Sequence, residues 1–192
     1  MRILCYGDSN TYGYDPRSYF GGRYPAESRW VDILAGKTGW EVINAGENGR
    51  VIPKRAGEIQ RFQELLLKAR PDHLIVMLGG NDLLQGAAPA DAAARMEALL
   101  TALTDLEPGN ILLIGPPPKQ LGSWVPTKAL VLASIELSRQ YQRLAEKIGV
   151  HFADAGAWDI ELTFDGVHYT ETGHAAFAEG IYRAIKQAWP SP

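Results

Sequence analysis

Cys5-Tyr6-Gly7-Asp8-Ser9-Asn10-Thr11-Tyr12-Gly13 is the stretch on which the chain turns. The residues from Ile3 to Tyr6 form a short apolar run that reads as a first β-strand. The Gly-Asp-Ser that follows predicts a sharp turn, with Gly7 supplying dihedrals that a side chain would forbid. Ser9 then lies at the carboxyl end of the strand, where open α/β sheets place their ligands. A serine at such a turn is by itself more often a helix N-cap than a functional group. What lifts Ser9 above that reading lies in three short stretches downstream.

Outward from this turn, strands and helices alternate to the end of the chain. The region Tyr14 to Tyr24, rich in Tyr, Gly, Arg and Pro, reads as a surface loop beside Ser9. Ser28 is placed to cap a helix from about Arg29 to Lys37, with Trp30, Ile33 and Leu34 on one face. Trp40 to Ala45 reads as strand two and Arg55 to Ala69 as a helix that Pro71 stops. His73 to Leu78 is a continuous apolar run of the buried, parallel-sheet kind. Ala90 to Leu106 is rich in helix formers. Asn110 to Ile114 is strand four, and Gly115-Pro116-Pro117-Pro118 opens a long loop reaching about Lys128. Ala129 to Ile148 (helix), Val150 to Ala153 (strand) and Thr170 to Trp189 (helix) complete the series. The alternation predicts an α/β fold: a flavodoxin-like three-layer α/β/α sandwich with a five-stranded parallel sheet in the order 2-1-3-4-5. With 192 residues and no linker or repeat, residues 1–192 read as one domain.

Composition narrows the function classes. A net charge of −3 gives no basic footprint for nucleic acid and no pull toward an anionic membrane. No run approaches the roughly 20 apolar residues of a membrane span. The N-terminal apolar run is too short for a signal-peptide core. The single cysteine, Cys5, excludes an intrachain disulfide and reads as inert core, consistent with a cytoplasmic setting.

Polar residues collect where strands end: Asp8-Ser9, Asn48-Gly49, Asn81-Asp82 and, before the last helix, Asp165-Gly166-Val167-His168. A doubly wound sheet brings these loops to one rim. The chemistry they offer is acyl transfer. A serine hydroxyl is a poor nucleophile until a base takes its proton, and histidine suits that task near neutral pH. His168 needs a partner on its other ring nitrogen, and Asp165 lies three residues earlier. The oxyanion needs fixed donors: the N–H groups of Ser9 and Gly49 and the Asn81 amide are available. His73 and His151 open buried strands and read as structural; His174, preceded by Glu171, faces inward on the last helix and reads as a packing residue. Asp8 and Asp82 read first as ligands of turn backbone. Arg29 and Arg50 read as ordinary surface residues. Tyr12, Tyr14 and Trp124 either shape a substrate pocket or simply pack.

These blocks resemble those of the SGNH hydrolases, the GDSL esterase/lipase family. Gly7-Asp8-Ser9 matches the first block, with Asn10 where the family name has Leu. Gly49 matches the second, with Gly46 the alternative; Gly79-Gly80-Asn81-Asp82 matches the third, and Asp165 to His168 the last. Arg29-Trp30 and the three prolines at 116–118 make the chain most similar to the bacterial arylesterase/acyltransferase branch. The resemblance implies a metal-independent, cofactor-free serine esterase acting on small-molecule short-chain acyl or aryl esters. It also implies acyl transfer to alcohols and homo-oligomers built through loops. Carbohydrate acetylesterases, lysophospholipases and thioesterases carry the same blocks. Two other readings stand beside it. A metal-dependent phosphoesterase would need more histidines than the two near the rim, and a non-catalytic binding module on the same fold would keep the blocks as turn chemistry alone.

Overall fold

The computed structural model describes residues 1–18 and 20–190. Its five strands are β1 (Arg2–Gly7), β2 (Glu41–Gly46), β3 (His73–Met77), β4 (Ile111–Gly115) and β5 (His151–Asp154). They form one parallel sheet in the order β2-β1-β3-β4-β5, as the alternation predicted. Among the described residues seven α-helices surround it: α1 (Ser9–Tyr12), α2 (Trp30–Thr38), α3 (Ala56–Ala69), α4 (Gly80–Leu84), α5 (Pro89–Thr101), α6 (Lys128–Ile148) and α7 (Glu171–Ala188). Among the described residues no helix is long and apolar enough to cross a membrane.

The apolar runs of the strands are continuous because both faces of the sheet are covered. Leu4, Tyr6, Leu74, Val76, Ile111 and Leu113 point to one side, where they meet Phe62 of α3, Met96 and Leu99 of α5, and Leu137 and Tyr141 of α6. Their alternates Ile3, Cys5, Ile75, Met77, Leu112 and Ile114 meet Trp30 and Leu34 of α2 and Phe177, Ile181 and Ile185 of α7. The four-residue repeat of Phe177, Ile181 and Ile185 is thus the buried stripe of α7.

Register decides where the site forms. Gly7 at the end of β1 is flanked by Gly46 of β2 and Met77 of β3. The loops that follow therefore leave the sheet at one level, on its carboxyl edge. Two helical turns there, α1 and α4, are absent from the periodicity because four- and five-residue helices carry no repeat.

Two expectations are corrected. Ser28 does not cap α2: it lies in a short 3-10 turn, Ala26–Ser28, and the helix begins at Trp30. The Trp30 N–H is instead met by Nδ1 of His174, at 3.5 Å, from the far end of the chain. The helix read as Ala90 to Leu106 ends at Thr101. There Gln63 of α3 donates to the Ala102 carbonyl at 2.8 Å. Thr101 turns its hydroxyl back on the Glu97 carbonyl, also at 2.8 Å. Leu103 continues the apolar pattern and stays buried, but in a loop.

Candidate active site

The first turn after β1 settles which residue caps α1. Asp8 is the N-cap: its Oδ1 accepts the Asn10 N–H at 3.0 Å, and its carbonyl accepts from Thr11 and Tyr12. Ser9 is the first helical residue, so its hydroxyl is not spent on the backbone. Gly7 is needed here for space, since a Cβ would lie 2.0 Å from Thr11 Oγ1. Its φ is outside the left-handed region, so the expected dihedral freedom is not the reason.

Ser9 Oγ lies 2.9 Å from His168 Nε2, and His168 Nδ1 lies 2.6 Å from Asp165 Oδ2. The other carboxylate oxygen, Oδ1, accepts the N–H groups of Val167 and His168 at 2.8 and 2.9 Å. Both side chains are almost fully buried. Burial by itself pushes the Asp165 carboxyl up. The His168 ring N–H and the two backbone N–H groups outweigh it and bring the value down to about 2. Asp165 is therefore ionised at neutral pH and holds the proton of His168 on Nδ1. Nε2 is left to accept the Ser9 hydroxyl proton.

Aromatic side chains border the imidazole. The Tyr14 ring is centred 4.8 Å from it and the Trp124 ring 5.1 Å, edge-on. Trp124 is half-exposed, and its backbone N–H donates to the Asp165 carbonyl at 3.1 Å. Leu121 and Phe164 add exposed apolar surface on the two loops stitched together by the Ser123 N–H to Phe164 carbonyl bond. Tyr12, grouped with these aromatics on sequence grounds, is engaged elsewhere: the Arg23 guanidinium lies 4.5 Å from its ring centre.

Asn81 is the second residue of α4, and its Nδ2 donates to the Arg50 carbonyl at 3.0 Å. An amide nitrogen carries two hydrogens, so one remains for a ligand. Gly49 precedes Arg50 in the same turn and has φ 74°, a left-handed conformation that costs glycine little. Gly46 has a different duty: a Cβ there would lie 2.1 Å from the Tyr12 backbone nitrogen. It lets α1 rest directly on β2.

Arg50 is not the surface residue that its charge suggested. Its Nη1 donates to the Gly7 carbonyl at 2.8 Å and also to the Ala45 carbonyl. Nη2 reaches Glu47 at 2.6 Å, and the guanidinium covers the Tyr6 ring. It fastens the ends of β1 and β2 together. Arg29 is likewise largely covered, its stem lying against Gly13 and its Nε on Asp32 at 2.7 Å. Asp82 is buried, accepting the Ile52 N–H and the Arg95 guanidinium, each at 3.0 Å. His174 is wholly buried between the rings of Tyr24 and Tyr169, a packing position. Burial, with His168 and Arg29 adding to it, lowers the His174 imidazole to about 3.

Two residues of this region are given no role by the sequence. Lys119 follows the three prolines and is buried, with Asp8, Asn10, Gly80 and Asn81 beside it around a void of about 20 Å³. Burial lowers its ammonium, and Asp8 and Asp165 pull the other way. Asn10, which stands where the family name has Leu, bonds across to the histidine loop at Val167 and Tyr169.

Residues 5–176 match the model of the GDSL-like lipase/acylhydrolase family. Similar solved structures include a putative arylesterase from Agrobacterium tumefaciens str. C58, with TM-score 0.83 and 28% identity over 98% of this chain and 100% of that one. A carbohydrate acetylesterase family member from Sinorhizobium meliloti has TM-score 0.81 and 26% identity over 98% and 99% of the two chains. The inhibitor-bound aryl esterase of M. smegmatis has TM-score 0.81 and 26% identity over 97% and 99%. In sequence, the uncharacterized lipoprotein YqeF of Bacillus subtilis (strain 168) is 34% identical over 84 residues. That match covers 42% of this chain and only 31% of the relative's length. The chain belongs to the GDSL-like lipase/acylhydrolase family and is a carboxylic ester hydrolase.

Proposed function

We propose that this member of the GDSL-like lipase/acylhydrolase family hydrolyses short-chain acyl or aryl esters through an acyl-enzyme on Ser9. The observation that carries the proposal is the unbroken chain from Ser9 Oγ through His168 to Asp165 at 2.9 and 2.6 Å. Ser9 Oγ attacks the ester carbonyl carbon as His168 Nε2 takes its proton. The negative charge on the carbonyl oxygen is met by the Ser9 and Gly49 N–H groups and the Asn81 amide. As the C–O bond to the leaving group breaks, His168 returns the proton to the departing alcohol. Water, or a second alcohol, then attacks the acyl-enzyme with His168 again as base, so the product is an acid or a new ester.

A short acyl group is supported by the likeness to carbohydrate acetylesterases, and an aryl leaving group by the likeness to arylesterases. Acyl transfer is supported by Trp124, Leu121 and Phe164, an exposed apolar border suited to holding an alcohol near His168. Tyr14 and Trp124 are the residues assigned to the substrate. A sugar acetate is the second reading, favoured by the acetylesterase neighbours. A cytoplasmic setting and a homo-oligomer belong to the same proposal, to be tested by fractionation and light scattering.

The test is a paired assay of wild type and Ser9→Ala on p-nitrophenyl acetate, butyrate and octanoate and on an acetylated sugar, with folding followed by circular dichroism. Turnover by wild type and none by folded Ser9→Ala is the expected result. Equal turnover by both would remove Ser9 as the nucleophile.

A further inference from the structure

The bond between Ser9 and His168 joins groups 159 residues apart, and it is lost when Ser9 becomes acylated. Something else must keep the imidazole in place through the cycle. The Asp165 carboxylate orients the ring, but it belongs to the same loop and cannot fix that loop against the nucleophile turn.

Asn10 is placed to do so. Its Nδ2 donates to the Val167 carbonyl at 3.1 Å, and its Oδ1 accepts the Tyr169 N–H at 3.1 Å. The two partners are the residues immediately before and after His168. The side chain meets the loop as a neighbouring strand would, one donor and one acceptor matched to a carbonyl and an N–H two residues apart. Leucine offers neither group, and aspartate offers only the acceptor. Asn10 is itself braced, since its carbonyl accepts the Trp30 indole N–H at 3.0 Å. It is buried, so water does not compete for either bond.

We propose that Asn10 is a positioning residue for ester hydrolysis: its carboxamide grips the backbone on both sides of His168 and holds Nε2 within reach of Ser9. The proposal rests on the assignment of Ser9 and His168 as nucleophile and base. Misplacement of a reacting group by about 1 Å costs on the order of 10²-fold in rate. Loss of the grip is therefore expected to lower kcat by roughly 10- to 100-fold with KM held within about threefold.

The experiment compares wild type, Ser9→Ala, Asn10→Leu and Asn10→Asp. It measures kcat and KM on p-nitrophenyl acetate, the rate of Ser9 labelling by a fluorophosphonate, and Tm. Asn10→Leu should lose kcat and labelling rate together while KM stays near its wild-type value. Asn10→Asp keeps the bond from Tyr169 but sets a carboxylate oxygen against the Val167 carbonyl; once protonated, that carboxyl can donate again. Its kcat, taken as a ratio to wild type at each pH, should rise on acidification, a response that a merely structural residue would not give. A folded Asn10→Leu within threefold of wild type in kcat, or one changed only in KM, overturns the proposal. Should Asn10→Leu not fold, a pH-independent ratio for Asn10→Asp overturns it and a rising ratio supports it. Activity in Ser9→Ala would instead mark failure of the nucleophile assignment itself.

Discussion

Acidification should unfold this protein through a group outside the reaction, His174. The imidazole is wholly buried among Trp30, Tyr24 and Tyr169, and the nearby His168 and Arg29 disfavour a positive charge on it. Protonation would also place a hydrogen on Nδ1, the atom that now accepts the Trp30 N–H. The folded value is about 3 against 6.5 for the free side chain. The unfolded chain therefore binds the extra proton first, and stability falls as pH drops below 6.5. Between about pH 7.5 and 4.5 two units of that gap are traversed at about 1.4 kcal/mol each, a loss of about 3 kcal/mol from this residue. His73, also lowered by burial, adds in the same direction, whereas Asp165 contributes only nearer its own, lower range. Urea unfolding followed by tryptophan fluorescence at several pH values measures the slope. His174→Asn keeps an acceptor for Trp30 and cannot be charged; it should be less stable at neutral pH yet lose about 2–3 kcal/mol less across the window. Equal losses in wild type and variant would refute the reasoning.

Asn81→Ala should lower kcat by roughly 10²–10³ with the fold intact, as removal of one oxyanion donor does. A loss under about threefold would take Asn81 out of that role. Arg50→Ala strips the charged donor from the Gly7 and Ala45 carbonyls and should cost about 2–4 kcal/mol in urea unfolding: one bond to a charged group is worth about 1.5–3 kcal/mol, and a single Nη1 shared between two carbonyls gives less than twice that. A change below about 0.5 kcal/mol would return Arg50 to the surface class in which its sequence had placed it.

The sheet and its order were legible because apolar runs such as His73 to Leu78 alternate with helical stripes such as Phe177, Ile181 and Ile185. A parallel sheet of that kind has one functional edge, so the blocks around Ser9, Asn81 and His168 could be placed together before any distance was known. What stayed hidden depends on partners far along the chain. Trp30 begins its helix on His174, not Ser28, and the helix after Pro89 stops where Gln63 takes a carbonyl. Arg50 resembles any exposed arginine until two strand-end carbonyls converge on it. Asn10 resembles a turn residue until the loop at Val167 arrives. In each case the local preference is weak and a tertiary hydrogen bond decides the outcome.

The order of the sheet also bears on how activity is acquired. β1 carries the nucleophile turn and lies between β2 and β3, so that turn can be built by the first half of the chain. The imidazole arrives on the loop that leads into α7, which packs against α2 on the other side of the sheet. Closing a contact of 159 residues is entropically among the costliest steps available to this chain. A folding intermediate lacking the α7 docking step would keep most of its sheet and its circular dichroism but react with no fluorophosphonate. The recovery of labelling during refolding would then time the last event of assembly, separately from the recovery of secondary structure.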